Sequence, residues 1–370
     1  MAKDRQIAVT GMAWLTALGD HLQPVWNSLL IGESALKPTP FHGRLRNQLA
    51  APAMEGKAPP SDRLVKMASQ TIRRALETAG RQPDDPGLQL VLGTSLGAYL
   101  DDPVSRRSLS GWAVEVAREL NSSAPPIVIS TACSSGSDAI LVAAELIRAG
   151  TASWCVCGGV DVLTDSKRLA HSALTTMSPT RLRPFDVRHD GTLLGEGAGF
   201  LVLEPEQAGR APLAILRGTG AANDATGMTV ADTTGLSAAY AIDRSLADAD
   251  LSQSEIGLIN AHGSGTPMND TTECNAFGRV FLGPNRPIVF ATKGNFGHTL
   301  GATGAIEAIA VVLALQSGEV PPIAGLEQPL PEFPLPLSVS RPASCDAQFG
   351  LSLTLGFGGF DTSLIFEAVS

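Results

Sequence analysis

The stretch STACSSGSDAILVAAELIRAG, residues 130–150, joins a run of small residues to a segment with helical periodicity. Ile140, Ala144 and Ile147 recur at the spacing of one helix face, which predicts a buried or half-buried helix. Gly150 follows the last apolar residue of this pattern, where a glycine commonly ends a helix. The stretch therefore predicts an α-helix that begins within its small-residue run.

Cys133 stands at or just before the start of this predicted helix. Ser134 and Ser135 are residue types that cap helix N-termini, where free N–H groups and the macrodipole favour an anion. A thiol in this position is expected to ionise more readily than a free one, as a nucleophile requires. The alternative is a small buried cysteine in a turn. A base or an orienting group elsewhere in the chain would favour the nucleophile over this alternative.

The second half of the chain repeats the order of the first. Apolar strand-like runs alternate with helical patterns in both, which predicts an α/β fold. Residues 287–318, PIVFATKGNFGHTLGATGAIEAIAVVLALQSG, form a strand, a glycine-rich loop and an apolar helix, as around Cys133. Each half closes on an apolar strand that ends in an acid. We therefore expect an internal duplication with halves at residues 1–210 and 211–370.

Composition and charge exclude several classes of protein. The 370 residues are 44% hydrophobic and 17% charged, which allows a large core and argues against disorder. The net charge of −9 argues against general nucleic-acid binding. Without a long apolar run or a signal-peptide pattern, we expect no membrane insertion and a cytoplasmic location. Five scattered cysteines indicate neither a disulfide framework nor a metal site, and no metal is expected.

Polar loops after predicted strands carry the other reactive side chains. His262 follows the apolar run GLI in the first such loop, and Lys293 and His298 lie five residues apart in TKGNFGHTLG. The ends of strands are where α/β sheets usually place function. Each histidine alone would commonly be structural. Together with Cys133, they indicate a site for acyl transfer or carbon–carbon bond formation.

Seven segments carry a resemblance that spans most of the chain, from Ile7 to Glu367. They are VTGM…TALG, GTSLG, TACSSG, RPFDVRHDGTLLGEGAGFLVLE, NAHGSGTPMND, TKGNFGHTLGATGAIE and GFGGFDTSLIFE. In this order they resemble the β-ketoacyl-acyl-carrier-protein synthases, the condensing enzymes of fatty-acid and type II polyketide synthesis. The resemblance implies a thiolase-like fold of two duplicated halves, layered α-β-α-β-α. It also implies the decarboxylative Claisen condensation of an acyl thioester with malonyl-acyl carrier protein.

The resemblance implies roles for individual residues. Cys133 would hold the growing acyl chain as a thioester. His262 and His298 would assist decarboxylation and stabilise the enolate oxygen. Lys293 would hold one histidine and the adjoining acid in place, and Glu307 would be its structural partner.

The resemblance also implies which residues contact the substrate and which partners the protein has. Phe357 would supply an oxyanion-hole N–H beside that of Cys133 and would gate the acyl chain, while Ser264 and Thr266 would touch the phosphopantetheine arm. No cofactor is expected, because phosphopantetheine arrives on the acyl carrier protein. A homodimer or a heterodimer with a ketosynthase-like chain is implied. The acidic carrier protein needs basic residues to dock, and the possible ones are Arg63, Lys66, Arg73, Arg74, Lys167, Arg168, Arg181 and Arg183.

Two departures from the family pattern leave alternatives open. The spacing from Gly93 to Cys133 is shorter than in the family, and Phe360 and Asp361 stand where the family usually has Thr-Asn. The chain could instead be a partner subunit like the chain-length factors, or an acyltransferase that uses Cys133 without elongation. A further alternative is an α/β-hydrolase, because GTSLG fits the G-x-S-x-G nucleophile elbow.

Overall fold

The computed structural model describes residues 6–41, 43–54, 56, 58–101, 108–206 and 211–369. The strands are β1 (Ile7–Leu15), β2 (Lys37–Pro38), β3 (Leu49–Ala50), β4 (Leu88–Gly93), β5 (Ile127–Ile129), β6 (Trp154–Asp161), β7 (Gly197–Pro205), β8 (Ala214–Asn223), β9 (Ile256–Asn260), β10 (Ile288–Phe290), β11 (Glu319–Val320), β12 (Ala343–Ser344), β13 (Phe349–Gly356) and β14 (Phe360–Glu367). The helices are α1 (Leu22–Leu30), α2 (Pro60–Ala79), α3 (Ala98–Asp101), α4 (Gly111–Glu119), α5 (Ser135–Arg148), α6 (Asp165–Ala173), α7 (Leu236–Ala249), α8 (Pro267–Val280), α9 (Lys293–Phe296) and α10 (Thr303–Ser317).

Ten strands form one large sheet, in the order β10-β9-β13-β14-β8-β1-β7-β6-β4-β5. From its centre outward, the first half runs β1-β7-β6-β4-β5, with two antiparallel pairs followed by two parallel pairs. The second half, β8-β14-β13-β9-β10, repeats both the order and the directions. A short antiparallel pairing of β1 with β8 joins the two groups. The expected duplication is confirmed.

The boundary between the halves falls in the connection from β7 to β8. β7 ends at Pro205 and β8 begins at Ala214. Residues 207–210 lie outside the described residues, so the division into residues 1–210 and 211–370 stays a prediction.

Helices lie on both sides of each strand group and between the groups. α5 packs on β4 and β6, and α10 packs on β7 and β13, while α5 and α10 contact each other. α2 covers β1 and β7 with α4 beside it, and α7 covers β8 and β14 with α8 beside it. The layered α-β-α-β-α arrangement is thus confirmed, with α5 and α10 as its middle layer.

The middle layer explains why α10 is apolar on all sides. Every residue from Thr303 to Leu315 is buried. The window Leu300–Ser317 is long and apolar enough to cross a membrane, but 89% of it is buried inside the protein. A helix that is hydrophobic all round fits the centre of a large core in this way.

Two glycines let the middle helices approach each other at their N-termini. A Cβ on Gly136 would lie 3.0 Å from the backbone nitrogen of Ala305. A Cβ on Gly304 would lie 2.8 Å from the backbone nitrogen of Ser137. Side chains at these positions would push the helices apart, so the glycines bring the starts of α5 and α10 together.

Replacements in the middle layer should lower the free energy of unfolding more than replacements on the surface. Ile309, which is 0% exposed in α10, should cost about 2–5 kcal/mol of unfolding free energy when replaced by alanine. Ile31 is 78% exposed, so the same replacement there should change it by no more than about 0.5 kcal/mol. Urea denaturation of Ile309→Ala and Ile31→Ala measures both values. Equal shifts in the two variants would contradict the layered core.

Candidate active site

Cys133 lies in a short 3-10 turn between β5 and α5, and it is 6% exposed. The prediction that it stands at a helix start is confirmed. The predicted caps are wrong, since Ser134 donates its hydroxyl to the carbonyl of Phe360 at 2.5 Å and Ser135 donates to that of Ala132 at 2.6 Å. These hydroxyls therefore fix the turn that holds Cys133 and leave the first N–H groups of α5 uncapped by side chains.

His298 contacts the sulfur directly. Its Nε2 lies 3.1 Å from Sγ of Cys133. Its Nδ1 accepts a hydrogen bond from the backbone N–H of Leu300 at 3.2 Å and lies 3.0 Å from Oγ1 of Thr303. An atom that accepts from a backbone N–H carries no proton, so the neutral ring has its proton on Nε2. His298 thus presents an N–H to the sulfur and to the space around it.

The two loops that bring these residues together have the same backbone shape. Each enters its middle-layer helix through a 3-10 turn, and the first residue of each turn has a positive φ, +52° at Ala132 and +53° at Leu300. Such a conformation costs a residue other than glycine about 1–3 kcal/mol and persists only where surrounding contacts enforce it. The two halves therefore use one strained turn twice.

Lys293 links His262 to Glu307 in the interior. Its Nζ lies 3.3 Å from Nδ1 of His262, donates to the carbonyl oxygen of the same residue, and lies 2.5 Å from Oε1 of Glu307. Lys293 and Glu307 are both 1% exposed. Burial raises the pKa of Glu307 to about 7, and the ammonium of Lys293 counteracts this. The structure thus brings together the lysine and the acid that the sequence paired.

Both histidines are neutral at physiological pH. Burial, with Lys293 as the next cause, lowers the pKa of His262 and of His298 well below the usual value. An ammonium can only donate, so Nδ1 of His262 accepts from Lys293 and its proton also lies on Nε2. The ring centroids are 5.2 Å apart at an interplanar angle of 86°. The pair therefore offers two uncharged N–H donors.

The prediction that the Cys133 thiol ionises more readily than a free thiol is wrong, because the pKa of Cys133 is raised. Burial raises the pKa of Cys133, and this effect exceeds the opposing influence of Lys167, Lys293 and the backbone N–H of Phe357. A buried thiolate lacks hydration, so the uncharged thiol is favoured at this depth despite the nearby helix start. In the resting protein the nucleophile is therefore the thiol.

A cavity of about 450 Å³ reaches the sulfur, and it collects most of the predicted site. The predicted residues that line it are Cys133, His262, Ser264, Thr266, His298 and Phe357. Lys293 and Glu307 lie behind the ring of His262. The arrangement places a nucleophile and two neutral donors on one enclosed space.

Phe357 and the two hydroxyl residues occupy separate parts of the cavity wall. The backbone N–H of Phe357 lies near enough to Cys133 to act against the rise in its pKa, and the ring of Phe357 stacks on His171 with centroids 5.7 Å apart. The side-chain oxygens of Ser264 and Thr266 lie 3.1 Å apart, and Thr266 also caps the N-terminus of α8 by accepting the backbone N–H of Asn269.

Family models match most of the chain. The model described as "Beta-ketoacyl synthase, N-terminal domain" matches residues 4–208, and the one described as "Beta-ketoacyl synthase, C-terminal domain" matches residues 213–327. The chain belongs to the beta-ketoacyl synthase family.

Relatives and solved structures agree with this membership. The 3-oxoacyl-[acyl-carrier-protein] synthase 2 of Mycobacterium leprae is 29% identical over 403 residues, covering 97% of this chain and 96% of the relative. The structure titled "The ishigamide ketosynthase/chain length factor" matches with a TM-score of 0.89 and 27% identity, covering 99% of this chain and 100% of that chain. A type II PKS acyl-carrier protein in complex with its ketosynthase, AntDE:AntF, matches with a TM-score of 0.90 and 26% identity over the same shares.

This beta-ketoacyl synthase has a carboxylate behind His262 that the sequence analysis missed. Glu273 of α8 accepts the backbone N–H groups of His262 at 2.7 Å and Gly263 at 2.8 Å. It is fully buried, and burial raises its pKa to about 8. Its sequence signal is weak, since an acid eleven residues beyond a histidine points to no particular contact.

A second missed carboxylate, Asp161, ends β6 and ties two loops together. It accepts the backbone N–H groups of Ser95 and Gly301, each at 2.9 Å. Ser95 is the would-be nucleophile of the hydrolase alternative, and no histidine bonds with its hydroxyl among the residues that the structure describes. The geometry therefore favours Cys133 as the nucleophile.

Two of the basic residues considered for docking are already paired within the protein. Arg63 forms an ion pair with the buried Glu196, and Arg168 is 2% exposed and donates to three backbone carbonyls. The docking role of Arg168 is therefore wrong, because its charge lies inside the protein, whereas that of Arg63, whose side chain is 14% exposed, stays a prediction. Lys66 and Arg181 are exposed, and their part in docking stays a prediction.

The two departures from the family pattern lie in different places, one at the cavity and the other in the connection from Gly93 to Cys133. Asp361 lines the cavity, where burial raises its pKa to about 7, while Phe360 is partly exposed beside it. The spacing from Gly93 to Cys133 includes residues 102–107, which lie outside the described residues. The 403-residue alignment with the mycobacterial relative exceeds the 370 residues of this chain, so that relative has residues without a counterpart here.

The raised pKa of Cys133 predicts a distinctive alkylation profile. Because the folded protein disfavours the thiolate, the rate of reaction with iodoacetamide should still be rising above about pH 8.5, where a free thiol is half ionised. Peptide-level mass spectrometry would follow Cys133, with an unstructured cysteine peptide as the reference. A plateau below the midpoint of that peptide would show that the helix start outweighs burial.

Proposed function

We propose that this protein condenses an acyl group held on Cys133 with a malonyl group on an acyl carrier protein, releasing carbon dioxide and forming a β-ketoacyl-acyl carrier protein. The observation that carries the proposal is the 3.1 Å contact between Sγ of Cys133 and Nε2 of His298, in a cavity that His262 also lines. Thioester formation followed by enolate formation needs such a nucleophile and such donors.

The first half-reaction loads the enzyme. Sγ of Cys133 attacks the carbonyl carbon of the incoming acyl thioester, and the bond from that carbon to the carrier's sulfur breaks. The carrier leaves as a thiol with the proton that Cys133 gives up. The backbone N–H of Phe357 lies near Cys133 and would stabilise the oxyanion that forms on the way.

The second half-reaction lengthens the chain. The thioester carbonyl oxygen of the malonyl group accepts the Nε2–H groups of His262 and His298. The bond between the malonyl carboxylate and its α-carbon breaks, carbon dioxide leaves, and the electron pair forms an enolate. The α-carbon then attacks the acyl carbon on Cys133 and a carbon–carbon bond forms. The bond from that acyl carbon to Sγ breaks, and the released thiolate takes a proton from solvent. Neutral donors suit this step, because negative charge grows on the oxygen only as carbon dioxide leaves.

Lys293, Glu307 and Glu273 act through the histidines. Lys293 holds Nδ1 and the carbonyl of His262, and Glu307 neutralises the ammonium. Glu273 fixes the backbone of the same loop from the other side. Together they hold His262 in one orientation and one tautomer.

The cavity wall also carries groups that would contact the phosphopantetheine arm of the substrate. Ser264 and Thr266 present hydroxyls on the wall of the cavity, where they would contact the phosphopantetheine of the carrier protein. Phe357 would gate entry of the acyl chain. The reaction requires no metal or resident cofactor. Within the described ranges, no cluster of three or more His, Cys, Asp or Glu side chains is suited to a metal ion.

An acyl carrier protein and a second ketosynthase-like chain are the proposed partners. The names of the neighbouring structures describe one ketosynthase with its acyl-carrier protein and another with a chain length factor. In this chain β5 is the outermost strand of the large sheet, and Ile127–Ile129 are only half-buried. Such an edge can pair with a second chain, as homodimer or heterodimer. We propose a cytoplasmic location for the assembly.

The test combines acyl-loaded and malonyl-loaded carrier proteins with the enzyme, alone and with any co-encoded homologue. Intact-protein mass spectrometry would follow acylation of Cys133 and extension of the chain. Cys133→Ala should abolish acylation. His262→Ala and His298→Ala should still be acylated but should extend the chain about 10²–10³-fold more slowly, because an oxyanion donor is lost.

A matched control separates these effects from general damage. His21 lies on the surface with its side chain 74% exposed, so His21→Ala should behave as wild type. Acylation without extension by the wild type under every pairing would favour an acyltransferase. No acylation at all would favour a chain-length-factor-like subunit and overturn the nucleophile assignment.

A further inference from the structure

Lys167 lies on the face of α6 that borders the active site, yet the proposed chemistry does not use it. It precedes His171 by four residues, so the two side chains project from the same face of the helix. His171 is buried and lines the cavity that Cys133 also lines. Lys167 is itself half-buried one turn earlier on that face.

The side chain of Lys167 packs against the backbone of Gly97, next to a buried carboxylate. A Cβ on Gly97 would lie 3.1 Å from Cε of Lys167, the carbon that carries the ammonium, and 3.3 Å from Oδ1 of Asp161. The glycine thus leaves room for the lysine stem and the carboxylate oxygen to come together. Among the residues that the structure describes, the ammonium has no hydrogen bond or ion pair.

Asp161 provides a negative charge that attracts this ammonium. It is fully buried, and its Oδ2 accepts the backbone N–H groups of Ser95 and Gly301, whereas its Oδ1 accepts no hydrogen bond within the described ranges. A buried carboxylate oxygen without a partner costs free energy, which a nearby cation reduces. Lys167 is the largest of the influences that oppose the effect of burial on the pKa of Asp161.

The same carboxylate connects Lys167 to the reactive pair. Gly301, which donates to Asp161, lies three residues beyond His298. Nε2 of His298 in turn contacts Sγ of Cys133. Lys167 is therefore separated by one carboxylate from the loop that presents His298 to the sulfur.

The charges around the sulfur agree with this placement. Burial raises the pKa of Cys133, and the groups that oppose this rise are, in order of size, Lys167, Lys293 and the backbone N–H of Phe357. Asp161 raises the same pKa and is the smallest of these influences. The half-buried lysine thus acts on the thiol at least as strongly as the buried one.

We propose that Lys167, held beside Asp161, is a second cation of the active site that stabilises the thiolate of Cys133 and so speeds acyl loading. It acts through its charge and forms no bond with the substrate. The proton that Cys133 gives up leaves with the departing thiol, so the step needs no further reagent. This inference rests on the proposed function, which makes Cys133 the nucleophile.

The first test follows the thiol by its reaction with iodoacetamide as a function of pH, measured for Cys133 by peptide-level mass spectrometry. Lys167→Met removes the charge and keeps an unbranched side chain, whereas Lys167→Arg keeps the charge. In Lys167→Met the profile should move to higher pH by about one unit, because the thiolate loses a stabilising charge. Lys167→Arg should keep the wild-type profile.

The second test measures acylation of Cys133 at pH 7 by a saturated N-acetylcysteamine thioester, using intact-protein mass spectrometry. Lys167→Met should load about 3-fold more slowly, since the greater nucleophilicity of a more basic thiolate recovers part of the loss. Raising the pH by about one unit should restore most of the rate. Lys37→Met removes the same charge from an exposed position and should behave as wild type in both tests.

Only a shift to higher pH supports the proposal. A loosened fold would expose the thiol and move the profile to lower pH, because burial is what raises the pKa of Cys133. An unchanged or lowered profile in Lys167→Met, with the wild type still acylated, would overturn the role of Lys167 alone. No acylation of the wild type would overturn the proposed function, while the alkylation profiles would still decide whether Lys167 acts on Cys133.

Discussion

The buried ammonium of Lys293 is the interaction on which the site depends. A lysine charge at this depth persists only with a partner and further hydrogen bonds, which Glu307 and His262 supply. The same charge disfavours protonation of both histidines and opposes the effect of burial on the thiol. One cation thus influences the protonation of three reactive groups. Burial is the larger cause of the neutral state of the two imidazoles, and Lys293 adds to it.

The fold brings these groups together through parallel strands. β9 and β10 pair in parallel with Asn260 opposite Phe290, so the loops that follow them leave the sheet side by side. His262 and Lys293 lie just beyond those ends and therefore meet. Cys133 arrives from the equivalent position of the other half, after β5. The reactive set is consequently shared between halves, and neither half holds all of it.

The sequence was sufficient for the parts of the site that depend on chain order. Cys133, Lys293 and His298 lie in small-residue loops after strands, and the repeated order of elements predicted the duplicated fold. The ionisation of the thiol could not be predicted, because the depth of burial depends on how the two halves pack. For the same reason the pairing of Arg63 with Glu196, 133 residues away, could not be predicted.

The close approach of the middle helices has an electrostatic consequence. Gly136 and Gly304 let the starts of α5 and α10 meet beside the contact between Cys133 and His298. Each helix start carries about half a positive elementary charge from its aligned peptide dipoles. The two fields converge where negative charge develops, and they belong to the backbone. Part of the stabilisation of the oxyanion would thus come from the path of the backbone, and it depends on the absence of a side chain at both glycines.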